Sequence, residues 1–140
     1  MTSPKTPVGY TTSQGWETGI RRTFPLSTHQ AWELLFTQPL LAAWLDDNAN
    51  IPFQKGDTYT TNTGITISIT AVTTSKVIRM KWQRKDEPSA STLQIRVIPA
   101  KEKTTISFHH EWLQNEADRT RMKTYWENVL DKIGESIARV

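Results

Sequence analysis

Four runs of alternating residues lead into one long amphipathic helix, and this order restricts the fold more than any other feature of the chain. Ile65, Ile67, Ile69 and Ala71 alternate with Thr66, Ser68 and Thr70. Ile78, Met80 and Trp82 alternate with Arg79, Lys81 and Gln83. Leu93, Ile95 and Val97 enclose Gln94 and Arg96, and Ile106, Phe108, His110 and Trp112 enclose Ser107, His109 and Glu111. Successive strand residues point to opposite faces, so each run predicts a strand with one apolar and one polar face. Short turns at Thr73–Lys76 and Pro99–Lys103, and a polar loop after Gln83, join the runs, as in an antiparallel meander. In the last segment Met122, Tyr125, Trp126, Val129, Leu130, Ile133, Ile137 and Val140 recur at three- and four-residue steps, which makes one helical stripe. Asn115 is placed to cap this helix, with Glu116 and Asp118 in its first turn.

The first half adds fewer elements. Trp16, Thr18, Ile20, Arg22 and Phe24 share one face of a strand that Pro25 ends. Ser27 and Gln30 form a capping-box pattern for a helix carrying Ala31, Leu34 and Leu35. Pro39 suits the first turn of a second short helix with Leu40, Leu41 and Trp44, which the polar segment 46–50 breaks. Phe53 to Thr61 holds a further strand with a turn at Lys55–Asp57, and Asn62–Gly64 is a second turn signal. The prediction is a two-layer α+β domain over 16–140: a curved antiparallel sheet of about six strands, with two short helices and a long C-terminal helix on one face. Residues 1–15, polar and rich in Thr, Ser, Pro and Gly, are expected to form a disordered tail.

Composition bounds the function. The 140 residues suit one domain, and no cysteine is present for a disulfide or a thiolate metal site. No signal-peptide core is seen at the N-terminus, and no apolar run approaches the ~20 residues of a membrane span. The expectation is a cytoplasmic protein without integral membrane association. The net charge of +3 is mild and its signs are interspersed. Arg79, Lys81, Arg96 and Lys103 fall on the polar sheet face, either as a solvated stripe or as a docking surface for an acidic protein. The tryptophans lie on the other face, where they could not stack bases among these cations, so nucleic acid is not expected.

His109 and His110 are adjacent in a strand and point apart, and His29 lies in the first helix, so no metal site is predicted and no cofactor is implied. His110 reads as a hydrogen-bonded core histidine, with a general-base role as the sharper alternative. Asp46–Asp47 read as turn residues rather than a catalytic pair. No acid–base pair stands out, which favours a non-enzymatic role.

The stretches TFPLSTHQAWELLFTQPLLAAWL, STLQIRVIPAKEKTTISFHHEWL and MKTYWENVLDKI resemble the helix-grip proteins of the START/Bet v 1-like (SRPBCC) superfamily. Within it they are most similar to the branch named after the C-terminal domain of the Hsp90 ATPase activator Aha1. Phe24–Pro25, Ala31–Trp32, Pro39 and Trp44 match one signature of that branch. Tyr125–Trp126 stands in for its Gly-Trp-like pair, without the glycine. The resemblance implies a sheet gripping the last helix around an apolar cavity. The residues implied to line it are Ile67, Ile69, Met80, Trp82, Ile95, Val97, Phe108, His110 and Trp112 from the sheet, and Met122, Tyr125, Trp126 and Leu130 from the helix. It also implies three functions: binding of a hydrophobic small molecule or lipid, association with a chaperone, or cyclase- or dehydratase-like catalysis. A packed core in place of a cavity is the competing reading of the same residues.

Overall fold

The computed structural model describes residues 8–138. Seven strands form one antiparallel sheet: β1 (Tyr10–Thr11), β2 (Gly15–Phe24), β3 (Thr58–Thr60), β4 (Ile65–Thr73), β5 (Val77–Arg84), β6 (Ser91–Ala100) and β7 (Lys103–Leu113). Their order across the sheet is β1-β2-β7-β6-β5-β4-β3, so the first long strand closes beside the last. The helices α1 (Thr28–Leu35), α2 (Leu40–Trp44) and α3 (Glu116–Ala138) all lie on one face.

The seventh strand arises where a tail was expected. Tyr10 pairs with Trp16 and Thr11 with Gly15, and the Tyr10 ring meets Trp16 edge-on at 5.4 Å. Stacking and pairing thus draw residues from about 8 to 15 onto the sheet edge, while the rest of the expected tail, residues 1–7, lies outside the described residues.

Local chemistry explains the helix ends. Ser27 Oγ accepts from Gln30 N at 3.1 Å and Gln30 Oε1 accepts from Ser27 N at 3.0 Å, which completes the capping box of α1. Asn115 Oδ1 accepts from Asp118 N at 2.8 Å at the start of α3. The Trp44 indole donates to Leu35 O at 2.7 Å and the Tyr125 hydroxyl donates to Trp44 O at 2.9 Å. Two orphan C-terminal carbonyls are thereby satisfied, and α1, α2 and α3 are tied in series.

Packing follows the predicted stripe. Met122, Trp126, Val129, Leu130 and Ile133 of α3 are buried, while Tyr125 and Ile137 are half-buried; Val140 lies outside the described residues. Burying each large apolar side chain contributes roughly 1.5–3 kcal/mol, which is what holds α3 to the sheet. At the polar end, Asp118 accepts from Gln114 N at 3.0 Å and from Arg84 at 3.0 Å, and pairs with Arg121.

Two bulges alter the expected alternation. Thr70 is an extra residue between the pairs Ile69↔Met80 and Ala71↔Arg79. Ala71 is therefore exposed and Val72 takes the inner position. The second bulge lies in β7, where Glu111 and Trp112 together oppose Glu17. Its consequence falls on the candidate site.

Candidate functional site

Eleven of the thirteen side chains expected around a cavity are buried between the sheet and α3, and they fill that space. Ile67, Ile69, Met80, Trp82, Ile95, Phe108, His110, Met122, Trp126 and Leu130 are all buried, as is Val97. Phe108 and Trp126 stack at 4.6 Å, and Trp82 meets Trp126 edge-on at 5.4 Å. Tyr125 stands edge-on to Trp126 at 4.8 Å, with its hydroxyl committed to α2. Burial pushes the Tyr125 phenol up to about 12, so it is a neutral donor. The rings interlock with one another, as in a close-packed core.

Trp112 is the correction. It was expected on the inner face, and it lies outside, 46% exposed, with a backbone φ of 57°. The bulge adds one residue, so the next inward position passes to Leu113, which is buried. The Trp112 ring lies over Gly15, where an added Cβ would stand 2.6 Å from Cε3. Only glycine fits beneath it.

His110 is held as a core residue. The Trp126 indole N–H, a donor only, lies 3.2 Å from Nδ1. Nδ1 must then accept, so the proton of the neutral ring sits on Nε2 and is donated to Ser91 Oγ at 2.7 Å. Ser91 in turn donates to Trp82 O at 2.8 Å. Burial, followed by the nearby charges of Arg84 and His109, holds the imidazole pKa down at about 3. Both nitrogens are occupied by protein partners and no solvent reaches the ring, so the arrangement offers no base to a substrate. His109 points to the opposite face, between Glu17 and Glu111 at 3.2 Å each. Asp46 is also structural: its carboxylate accepts from the Tyr59 hydroxyl at 2.9 Å and from Asn62 N at 3.2 Å.

Open space lies elsewhere. A groove of about 950 Å³ runs between α1, the loop 52–55 and the end of β4, and no α3 side chain lines it. Gln30, Glu33 and Leu34 line one side at the i, i+3 and i+4 positions of α1, and Thr37 follows just past its end. Trp32 and Phe36, one turn apart, stack tilted at 4.8 Å, and Phe53 closes on Phe36 at 5.0 Å. Phe53 is held at φ 56°, a costly conformation for an aromatic residue, and this aims the loop 52–55 across the groove. Leu26 and Val72 complete the apolar lining, and Gln54, Lys55 and Thr74 add polar groups. The i,i+4 aromatic pair Trp32–Phe36 is visible in the sequence. Its meeting with Phe53 and Val72 is not.

A curved antiparallel sheet wrapped on a long C-terminal helix, with two short helices between the first and second long strands, defines a helix-grip protein of the START/Bet v 1-like superfamily. Residues 25–138 match the family described as "Activator of Hsp90 ATPase homolog 1-like protein", and the chain belongs to it. CalU16 from Micromonospora echinospora superimposes with a TM-score of 0.75 at 16% identity, covering 86% of this chain and 75% of that one. Protein MLL2253 from Mesorhizobium loti gives a TM-score of 0.75 at 18% identity over 89% of this chain and 98% of its own. An HSP90 activator from Plasmodium falciparum gives 0.71 at 19% identity, over 87% of this chain and 96% of its own. At these identities the structural likeness establishes the fold alone. No curated protein matches the chain in sequence. No helix among the described residues is long and apolar enough to cross a membrane.

Proposed function

We propose that this protein binds a flat hydrophobic small molecule or a lipid chain non-covalently, and that it does so in the groove beside α1. The observation that carries this is the pairing of a filled sheet–helix interior with an open, aromatic-walled groove of ligand size in the same fold. Affinity would come from apolar area buried against the half-buried Leu26, Leu34, Phe36 and Val72, backed by the rings of Trp32 and Phe53. Gln54, Lys55 and Glu33 would orient polar substituents at the rim.

Amide NMR titration with a library of flavonoids and fatty acids tests this. Shifts are expected at Leu34, Phe36, Phe53 and Val72, and Phe53→Ala is expected to weaken binding about tenfold. Trp112→Ala, on the outside, should bind as well as the wild type. Shifts centred on Trp82 and Trp126, or no shifts with any compound, would sink the groove as the site.

Family membership and the Plasmodium falciparum HSP90 activator favour a second reading, association with an Hsp90-type chaperone. On that reading the purified protein changes the ATPase rate of such a chaperone at stoichiometric concentration. An unchanged rate, with no complex in sedimentation, would remove it.

A further inference from the structure

The outer face of the sheet carries a cluster of four exposed cations on neighbouring strands. Backbone register puts Arg21 and Arg96 in one lateral row, separated only by Ser107. Arg79 stands one row along on the strand next to Arg96, and Lys81 one row further. All four are exposed and none forms a salt bridge among the described residues. Arg96 donates to the neutral Gln94 amide at 3.0 Å and Lys81 to the Thr92 hydroxyl at 3.2 Å. Two carboxylates, Glu17 and Glu111, also lie on this face; His109 stands 3.2 Å from each, and Gln94 Nε2 donates to Glu111 at 2.9 Å. On the helix side the arginines are paired: Arg22 with Asp131, and Arg84 and Arg121 with Asp118. Beside Arg21 a depression of about 500 Å³ holds Ile98, 38% exposed.

We propose that this outer sheet face docks an acidic protein segment, with its carboxylates on Arg21, Arg79, Lys81 and Arg96 and an apolar side chain against Ile98. Unpaired cations spaced over neighbouring strands complement a run of carboxylates. The exposed ring of this face, Trp112, lies over Gly15 near the start of β2, and His109 is held between Glu17 and Glu111, so neither is free to stack a base between the cations, which disfavours single-stranded nucleic acid. Ile98 and Trp112, the latter seven residues along β7 from the former's partner Thr105, form no continuous apolar surface for insertion into a bilayer. The site is separate from the groove beside α1 and does not depend on it.

The test is fluorescence anisotropy with a fluorescein-labelled oligoglutamate peptide carrying one central leucine. Single-stranded oligouridylate and phosphatidylserine-containing vesicles serve as competing probes. Arg79→Glu/Arg96→Glu is compared with Lys123→Glu/Lys132→Glu, which reverses two exposed cations of α3 and leaves the same net charge. Peptide affinity is expected to fall about tenfold in the first variant and less than about twofold in the second. It should also weaken as salt rises through about 0.3 M. The milder Arg79→Gln/Arg96→Gln keeps the test valid if the charge reversal unfolds the protein. Equal losses in both variants, or no saturable binding, would overturn the proposal. So would tighter binding of the RNA or the vesicles with the same dependence on Arg79 and Arg96.

Discussion

Replacing Trp126 with alanine is expected to destabilise the protein by about 3–5 kcal/mol, the range for truncating a fully buried aromatic. Trp126 has no exposed surface, stacks on Phe108 at 4.6 Å and meets Trp82, Tyr125 and His110. Its loss leaves a void under α3 and strips His110 Nδ1 of its donor. A domain of this size is stable by roughly 5–15 kcal/mol, so the variant stands near the edge of folding. Urea unfolding measures the loss. Trp126→Phe retains one stacked ring while giving up the indole N–H and part of the ring area, and is expected to cost about 1–3 kcal/mol. A loss below about 1 kcal/mol in Trp126→Ala would show that the interior is loose, and would restore a cavity between sheet and helix as the binding site.

The second large effect is a loss of stability in mild acid that originates at His110. Its folded pKa of about 3 lies below the ordinary value of 6.5. Between these limits the unfolded chain binds a proton that the folded protein refuses. Stability therefore falls as pH drops, with a slope of up to about 1.4 kcal/mol per pH unit from this group. Across the whole window the loss is roughly 4 kcal/mol, and the contribution is intact above about pH 6.5. Urea midpoints measured at falling pH should show the decline. His110→Gln, which can still accept from Trp126 and donate to Ser91, should flatten it while costing about 1 kcal/mol at neutral pH. Parallel curves for the two proteins would place the acid sensitivity elsewhere.

Both effects depend on contacts the sequence shows only in part. Alternation in β5 and β7 and the three- and four-residue steps of α3 point Trp82, Phe108, His110 and Trp126 inward before any coordinate is known. Side-chain direction in regular structure is a matter of period. The caps at Ser27 and Asn115 are equally local and legible. His110 could be placed on the apolar face, but its partners Ser91 and Trp126 are 19 and 16 residues away along the chain. No spacing rule reaches that far.

Trp112 shows how one residue defeats a periodic argument. Alternation carries it inward, and a single bulge residue opposite Glu17 turns it out to solvent. A bulge depends on how two strands meet, and neither strand encodes it alone. The groove is invisible for a related reason. Leu34, Phe53 and Val72 lie in three different elements, and Phe53 faces the groove only because its loop is held at positive φ. Period, caps and turn residues therefore determined most of the side chains that the sheet and α3 bury and the order in which the elements run. Whether the buried side chains would interlock or leave room for a guest was decided by sheet curvature and bulges. Those are long-range agreements between strands, and they set volume, which patterning along one strand cannot.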